Sequence, residues 1–264
     1  MARSIPPGSA ERTMRIGGHA LKVFTYKPVG YRKGPLLVVF HGMNRDADNY
    51  RDHAKSIADR FGMVVAAPKF DLENFSMVLY QRAGIVYRNA LRPREQWTTT
   101  VALRLIDAIR RGEGRPNLDH YLLGHSAGGQ FLCRLVAFLP VAARRVVLAN
   151  PGTWVFPNDA DFPFGFGGRT APLAGEETLK RYLALPLTVY LGDEDLDGAN
   201  LTTGAAMFQG KTRYARGRKF FAAGKALARQ KRWPFNWRLV TVPGVGHSGE
   251  LMFASARIKQ ALFG

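Results

Sequence analysis

Short, mostly hydrophobic runs alternate with amphipathic segments along most of the chain. Such runs are typical of strands buried on both faces, and they lie at 35–40, 63–68, 120–124, 145–150, 185–192 and 237–243. Between them, hydrophobic residues recur at helical spacing, which predicts helices at 47–61, 95–111, 127–139, 198–232 and 250–262. Nearer the beginning, alternating residues on either side of Gly17 and Gly18 predict an antiparallel hairpin over 13–28.

This order of elements predicts an α/β fold with a mostly parallel, doubly wound sheet and helices on both faces. At 264 residues the chain fits a single domain, 1–264. The stretch 153–185 departs from the pattern because it is rich in Trp, Phe, Pro and Gly. A loop of this length is often functional, so we expect a small cap or lid there, with ordinary core packing as the alternative. Aromatic side chains suit an apolar substrate pocket, and the candidates are Trp154, Phe156, Phe164 and Phe166.

The charge is strongly basic, with a formal net charge of +18. The segment 211–232 carries nine Lys and Arg, interleaved with Phe220, Phe221 and Leu227. We interpret it as a helix with a solvated basic face over an apolar stripe. Non-specific binding of polyanions is compatible with this charge, but no recognisable nucleic-acid-binding module accompanies it, so specific nucleic-acid binding is not expected.

The hydrophobic runs, the cysteine content and the first residues bear on whether this is a membrane, disulfide-bonded or secreted protein. No apolar run approaches the length of about 20 residues that a membrane span requires, and the single Cys133 excludes an intramolecular disulfide framework. Residues 1–14 lack the apolar core of a secretory signal. The chain as written is therefore expected in the cytoplasm, and in the periplasm or the medium if a leader has been removed.

The most specific motif is Gly124-His125-Ser126-Ala127-Gly128, which lies between a predicted strand and a predicted helix. In that context, G-x-S-x-G is a tight turn that projects the serine hydroxyl above the sheet edge. Glycine-rich turns can also hold phosphates, but the lysine and spacing of a phosphate-binding loop are missing here. Ser126 is therefore the candidate nucleophile.

A serine needs a base, and the base needs an orienting acid. Of the six histidines, only His247 follows a predicted strand on a glycine-rich turn. The acid is expected after the strand 185–192, where "GDEDLD" offers Asp193, Glu194, Asp195 and Asp197. Asp195 is preferred by its spacing from Gly192, and Asp197 is the alternative, although it could instead cap the next helix.

The oxyanion that forms during acyl transfer needs two N–H donors. One is expected from the backbone of Ala127 and the other from the backbone of Met43, in the loop after "VVFHG". His41 is then expected to be a structural hydrogen-bonding residue at the base of that loop.

The ordered segments "VVFHGM", "GHSAGGQ", "GDED" and "GHSG" resemble the α/β-hydrolase superfamily over essentially the whole chain. Together with "LANPGTW" and "QGKTRYARGRKFF", they are similar to bacterial esterases related to polyhydroxybutyrate depolymerases. The resemblance implies a triad of Ser126, Asp195 and His247, a small-molecule ester substrate, and no metal or organic cofactor. The interval from Asp195 to His247 is longer than is usual for the superfamily, and its surplus is either a second part of the cap or an elongated outer helix.

Three functions stay open at this level. The first is a serine hydrolase that cleaves carboxylic esters through an acyl-enzyme. The second is an amidase or peptidase of the same fold, since a triad does not distinguish an ester from an amide. The third is a catalytically silent binding protein with a hydrolase fold.

Overall fold

The computed structural model describes residues 4–196 and 204–264, and within them every side chain except that of Ala205. Asp197 and the beginning of the predicted helix 198–232 lie outside these residues. None of the helices in the described part of the chain combines the length and the apolar character that crossing a membrane requires.

Eight of the described strands form one sheet, and two more form a short separate ribbon. The strands are β1 (Gly8–Ile16), β2 (His19–Lys27), β3 (Leu36–Phe40), β4 (Val64–Pro68), β5 (Val86–Tyr87), β6 (Ala90–Leu91), β7 (His120–His125), β8 (Arg145–Ala149), β9 (Leu187–Gly192) and β10 (Trp237–Val242). In the sheet they follow the order β1-β2-β4-β3-β7-β8-β9-β10. The six strands from β4 to β10 run parallel, and β2 pairs antiparallel with both of its neighbours.

The helices of the described residues are mostly short, and two 3₁₀ turns lie at Arg94–Gln96 and Gly168–Leu173. The α-helices are α1 (Ala47–His53), α2 (Lys55–Phe61), α3 (Met77–Tyr80), α4 (Thr98–Gly112), α5 (Ala127–Phe138), α6 (Glu176–Ala184), α7 (Gly204–Gln209), α8 (Arg213–Lys231), α9 (Gly249–Ala254) and α10 (Ile258–Phe263).

Alternation along the buried strands divides the core into two layers. In β3, for example, Leu36, Val38 and Phe40 belong to one hydrophobic cluster and Leu37 and Val39 to the other. Successive side chains of a strand point to opposite faces, so an uninterrupted hydrophobic run supplies both layers. The first cluster includes residues of α4, α5, α6 and α8, and the second includes residues of α1, α2, α9 and α10. The predicted α/β sheet with an N-terminal antiparallel hairpin and helices on both faces is confirmed.

Three long predicted helices are interrupted. The segment 47–61 breaks at Ala54 into α1 and α2, and Gly62 ends α2 in the left-handed region at φ 63°. The segment 250–262 breaks between α9 and α10. Within the described part of 198–232, a break at Gly210 separates α7 from α8, and the side chain of Thr212 caps α8 by accepting a hydrogen bond from the Ala215 N–H.

The segment 153–185 is more regular than predicted. Its second half contains α6, which begins after Gly175 with Glu176 and Glu177 in the first turn, where acidic side chains favour a helix. Tyr182 and Leu183 of α6 are buried in the first core cluster. The aromatic, Pro and Gly content of the first half obscured this helix in the sequence.

The site lies where the strand order reverses. From β3 the chain moves to β4 on one side, and later to β7 on the other. In open parallel sheets, ligands bind at the carboxyl ends of the strands at such a point. The loops after β3 and β7 meet there, and they carry Met43 and Ser126.

Candidate active site

Ser126 lies between β7 and α5 in a backbone conformation that residues other than glycine rarely adopt, with φ 55° and ψ −114°. Its N–H donates to the Ala149 carbonyl at 2.9 Å, which ties the turn to the end of β8. Such strain persists only where the surrounding structure enforces it, and it clusters at functional sites. This conformation is the kind of sharp turn expected for G-x-S-x-G between a strand and a helix.

The glycines of the motif permit a close approach of three backbone segments. A Cβ on Gly128 would lie 2.1 Å from the Phe40 carbonyl oxygen at the end of β3. A Cβ on Gly124 would lie 2.5 Å from the carbonyl group of Gly128. The absence of both side chains allows α5 to begin directly against β3 and β7, which brings the first N–H groups of α5 next to the serine.

A chain of hydrogen bonds connects Ser126 with His247 and Asp195. His247 Nε2 lies 2.9 Å from Ser126 Oγ, and His247 Nδ1 lies 2.7 Å from Asp195 Oδ2. Because a carboxylate only accepts, Nδ1 carries the proton and Nε2 is left to accept the hydroxyl proton of Ser126. The structure therefore brings together the three residues that were selected from the sequence as candidates.

Asp195 is buried, with 1% of its surface exposed. Its second oxygen, Oδ1, accepts from Arg213 Nη1 at 3.2 Å, and Arg213 comes from the first turn of α8. A charged partner and two hydrogen bonds compensate for burial of the carboxylate. Arg213 was not singled out in the sequence because nothing distinguishes it from the eight other basic residues of 211–232.

The loops that carry Asp195 and His247 are joined to each other. Asp193 Oδ1 accepts from the Gly244 N–H at 2.8 Å, and the Glu194 N–H donates to the Val245 carbonyl at 3.1 Å. Asp193 therefore stabilises the turn before His247 and does not contact His247 in the hydrogen-bond network.

Asn150, at the end of β8, adds a bridge between the same loops. Its Oδ1 accepts from the Gly192 N–H at 2.9 Å and its Nδ2 donates to the Gly246 carbonyl at 3.2 Å. The residue has a positive φ of 45°, which Asn tolerates better than most residues. This role was not predicted from the sequence, although an Asn immediately after a buried strand could have indicated it.

His41 holds the loop after β3. Its Nε2 accepts from the Phe70 N–H at 3.0 Å, so its protonated Nδ1 donates to the Gly42 carbonyl at 2.9 Å. Burial lowers the pKa of His41 to about 3, which keeps the ring neutral. This geometry agrees with the structural role expected from the sequence.

The candidate oxyanion donors belong to two segments, the start of α5 and the loop after β3. Ala127 is the first residue of α5, and the first N–H groups of a helix have no partner within it. Met43 follows Gly42 in the loop held by His41, and its side chain is 58% exposed. Both the Met43 loop and the turn at Ser126 border the same cavity.

This cavity has a volume of about 550 Å³ and contains Ser126 and His247 in its wall. Of the predicted pocket aromatics, Phe164 lines it, together with Thr153 and Pro163 from the same segment. Trp154, Phe156 and Phe166, the other predicted pocket residues, are instead buried in the first core cluster. Trp154 stacks on Phe220 of α8 with ring centroids 4.5 Å apart. Aromatic content alone does not reveal which face of a loop is covered by a neighbouring helix.

A second histidine lies beside His247. The ring centroids of His125 and His247 are 4.8 Å apart. His125 Nδ1 is 2.8 Å from the hydroxyl group of Tyr50, which comes from α1. Burial, followed by repulsion from His247, lowers the pKa of His125 well below its usual value. His125 therefore stays neutral and adds no positive charge next to His247.

Comparison with solved structures finds two close relatives. The chain is 34% identical to the poly(3-hydroxybutyrate) depolymerase LpqC from Bordetella parapertussis, over 97% of this chain and 90% of that one, with a TM-score of 0.89. It is 32% identical to poly(aspartic acid) hydrolase-1 from Sphingomonas sp. KT-1, over 94% of this chain and 96% of that one, with a TM-score of 0.87. A more distant likeness, to the siderophore hydrolase EstB from Aspergillus nidulans, concerns the fold alone, with 16% identity over 100% and 96% of the two chains and a TM-score of 0.59.

No family model and no curated protein sequence matches the chain. The two relatives above 30% identity nevertheless span nearly the whole of it, and they share its mostly parallel eight-stranded sheet with an N-terminal antiparallel hairpin. The chain therefore belongs to the α/β-hydrolase superfamily, and it is a hydrolase similar to the poly(3-hydroxybutyrate) depolymerase of B. parapertussis.

Proposed function

We propose that this hydrolase cleaves carboxylic esters through an acyl-enzyme on Ser126. The observation that carries the proposal is the pair of short contacts, 2.9 Å from Ser126 Oγ to His247 Nε2 and 2.7 Å from His247 Nδ1 to Asp195 Oδ2. These contacts have the nucleophile–base–acid order of a serine triad, and they occur at a strained elbow that borders a cavity.

In the proposed reaction, Ser126 Oγ attacks the ester carbonyl carbon while His247 Nε2 takes the hydroxyl proton. The carbon–oxygen bond to the alcohol then breaks, and His247 returns that proton to the leaving oxygen. Water repeats the sequence on the acyl-enzyme, which releases the acid and regenerates Ser126. The buried Asp195 stabilises the imidazolium that forms in each half.

The negative charge on the carbonyl oxygen needs fixed donors. We assign this role to the backbone N–H groups of Ala127 and Met43. Two features support the assignment: the position of Ala127 at the start of α5, and the hydrogen bonds of His41, which fix the loop that precedes Met43. The Met43 side chain belongs only to the wall of the cavity.

Labelling with a fluorophosphonate tests the proposal directly. The phosphorus atom should become bonded to Ser126 Oγ with loss of fluoride, and the adduct should map to the peptide that contains residues 121–131. Ser126→Ala should neither be labelled nor hydrolyse p-nitrophenyl esters. Retained hydrolysis by Ser126→Ala, with native circular dichroism, would contradict the proposal, and a chain without labelling or turnover would point to the silent binding protein.

Amide hydrolysis is the second candidate. It is favoured by the 32% identity to a protein named as a hydrolase of poly(aspartic acid), a polymer joined by amide bonds. The same triad would serve, with His247 protonating an amine. Comparison of p-nitrophenyl acetate with p-nitroacetanilide decides between them, because the proposal requires a larger kcat/KM for the ester than for the anilide.

The segment 153–185 enters the proposal as part of the substrate-binding wall within a single domain, 1–264. Support comes from Thr153, Pro163 and Phe164, which line the cavity. The long interval between Asp195 and His247 contributes in two ways. Helix α8 packs against β9 and β10 as an outer helix, and Ala206 of α7 lines the cavity.

A further inference from the structure

Two arginines that the proposed mechanism does not use lie in the wall of the active-site cavity. Arg82 follows α3 and is exposed, whereas Arg134 lies in α5 and is fully buried. Among the described residues, no carboxylate forms an ion pair with either guanidinium group. Arg213, the third arginine of this wall, is paired with Asp195. The cavity therefore has positive charge on one side that the described carboxylates do not neutralise.

Arg134 is held in place by oxygen atoms that carry no formal charge. Its Nη1 donates to the Thr153 carbonyl at 2.8 Å and to the Gln130 carbonyl at 3.2 Å. Its Nη2 donates to Thr153 Oγ1 at 2.8 Å and to the Pro163 carbonyl at 3.0 Å. These four hydrogen bonds fix the guanidinium group. Arg134 therefore contributes its positive charge to the cavity but has few N–H donors left for a ligand.

The same network orients the side chain of Gln130. Thr153 Oγ1 accepts from Arg134, so its own hydrogen is donated to Gln130 Oε1, at 2.8 Å. The oxygen of the Gln130 amide is thereby occupied, and its Nε2 remains as the donor. Gln130 and Arg134 lie one turn apart on one face of α5, and Ser126 precedes the helix, four residues before Gln130. All three border the cavity. Arg134 lies about 12 Å from Ser126 along the helix axis, and its side chain points back towards Gln130.

The two acidic residues of the cavity wall lie in the opposite layer. Asp46 precedes α1 and Glu250 lies in the first turn of α9, and both helices belong to the second core cluster. Burial lowers the pKa of Arg134 to about 10, with a smaller contribution from repulsion by Arg82. An anion between the two guanidinium groups would relieve this repulsion.

We infer that Arg82, with the Gln130 amide and the fixed charge of Arg134, forms a subsite for a carboxylate on the acyl part of the substrate. This inference rests on the proposed ester hydrolysis. His247 must reach the leaving oxygen, so the leaving group occupies the His247 side of the cavity and the acyl part extends along α5. The substrate class is that of monoesters of dicarboxylic acids, in which the free carboxylate binds the exposed Arg82 fork.

Matched substrates test the subsite. Mono-ethyl glutarate, adipate and suberate are compared with ethyl pentanoate, hexanoate and octanoate, which replace the distal carboxylate by a methyl group. Ethanol release gives kcat/KM for each pair. The wild-type enzyme should prefer the charged member at the best chain length, and Arg82→Gln should lower kcat/KM for that member about tenfold, the size of one charge-assisted hydrogen bond. The neutral esters should change less than about twofold.

Two further variants sharpen the result. Arg82→Lys should recover part of the preference, because it restores the charge without the fork. Arg88→Gln is the matched control, since Arg88 is exposed in the nearby ribbon, where its guanidinium lies over the Tyr87 ring. It should behave as the wild type. Free adipate should also inhibit the wild type more strongly than it inhibits Arg82→Gln.

A charged-to-neutral ratio in Arg82→Gln equal to that of the wild type would overturn the subsite, and so would a wild-type preference for the neutral ester at every chain length. Neither result touches the proposed function, which fails separately if Ser126→Ala still releases ethanol from the neutral esters.

Discussion

At the scale of single residues, the carboxylate that orients His247 is the critical choice. Asp195→Asn should lower kcat by about 10⁴, as loss of the orienting carboxylate does in serine proteases, because an amide nitrogen in place of Oδ2 would favour the wrong histidine tautomer. Steady-state kinetics with p-nitrophenyl acetate measure the effect, and circular dichroism checks the fold.

Asp193→Asn is the matched control, two residues earlier in the same loop. Its Oδ1 still accepts from the Gly244 N–H, so it should retain most of the activity. If Asp195→Asn were active while Asp193→Asn were not, the assignment of the acid would be wrong. Asp197, the alternative from the sequence, lies outside the described residues and is tested by the same substitution.

The neutral His41 ring predicts a dependence of stability on pH. Its pKa of about 3 in the folded state lies below the ordinary value of about 6.5, so the unfolded chain binds the proton first as the pH falls. The contribution of His41 to stability is present above pH ~6.5 and decreases by up to about 1.4 kcal/mol per pH unit below it, until the pH approaches 3.

Urea unfolding of the wild type and of His41→Gln between pH 7.5 and 4.5 measures this contribution. The wild type should be more stable at pH 7.5, and the difference should shrink towards pH 4.5. His19→Gln, at a half-exposed position of the hairpin, is the control for replacing a histidine by glutamine. If the difference in unfolding free energy between the wild type and His41→Gln did not change with pH, the neutral buried His41 ring would not be the cause.

At the scale of elements, the aromatic residues of 153–185 divide into core and cavity. Trp154 is fully buried against Phe220, and its backbone N–H and carbonyl are both bonded by the Gln209 amide. Trp154→Ala should therefore cost about 3–5 kcal/mol of unfolding free energy, without selectivity for acyl chain length. Phe164→Ala, at the cavity, should raise KM for long-chain p-nitrophenyl esters with a smaller loss of stability. The opposite pattern would show that Trp154 contacts the substrate.

The elements show what could be predicted from the sequence. Buried strands were predictable because their short, mostly hydrophobic runs alternate with amphipathic segments. The turn at Ser126 was predictable because few sequences other than a glycine-rich one permit its backbone. The helix breaks at Ala54 and Gly210 could not be predicted from the sequence, since each depends on how the segment packs against neighbouring elements. Asn150 and Arg213 reach the site only through contacts between distant segments. The position of Asn150 immediately after a buried strand was its one signal in the sequence, and no local pattern marks Arg213.

At the scale of the whole molecule, the net charge of +18 is distributed unevenly. Of the nine basic residues in 211–232, seven are exposed, and only Arg213 and Arg216 are buried. Phe220 is buried beneath them, as expected for a basic face over an apolar stripe. We expect weak binding of polyanions that weakens with salt and has no sequence preference.

A triple variant with Arg218, Lys225 and Arg229 replaced by Gln should elute from heparin at lower salt than the wild type. It should keep the hydrolase activity, since none of the three lines the cavity. The control replaces Arg15, Arg32 and Lys33, which are exposed on the N-terminal part of the chain. Equal elution of the two triple variants would show that the attraction follows total charge and that α8 has no special part in it.

The joined loops of Asp195 and His247 have a consequence for how this site tolerates change. Both residues follow neighbouring parallel strands, and Asn150 and the Asp193 turn hold the ends of those strands together. We therefore expect the distance between Asp195 and His247 to be independent of how much chain connects them, provided that Arg213 keeps its place at the start of α8. Lengthening the far end of this excursion, around 232–236, should leave the contact between the two residues in place, and the insertion of a tag or a small domain there would test this.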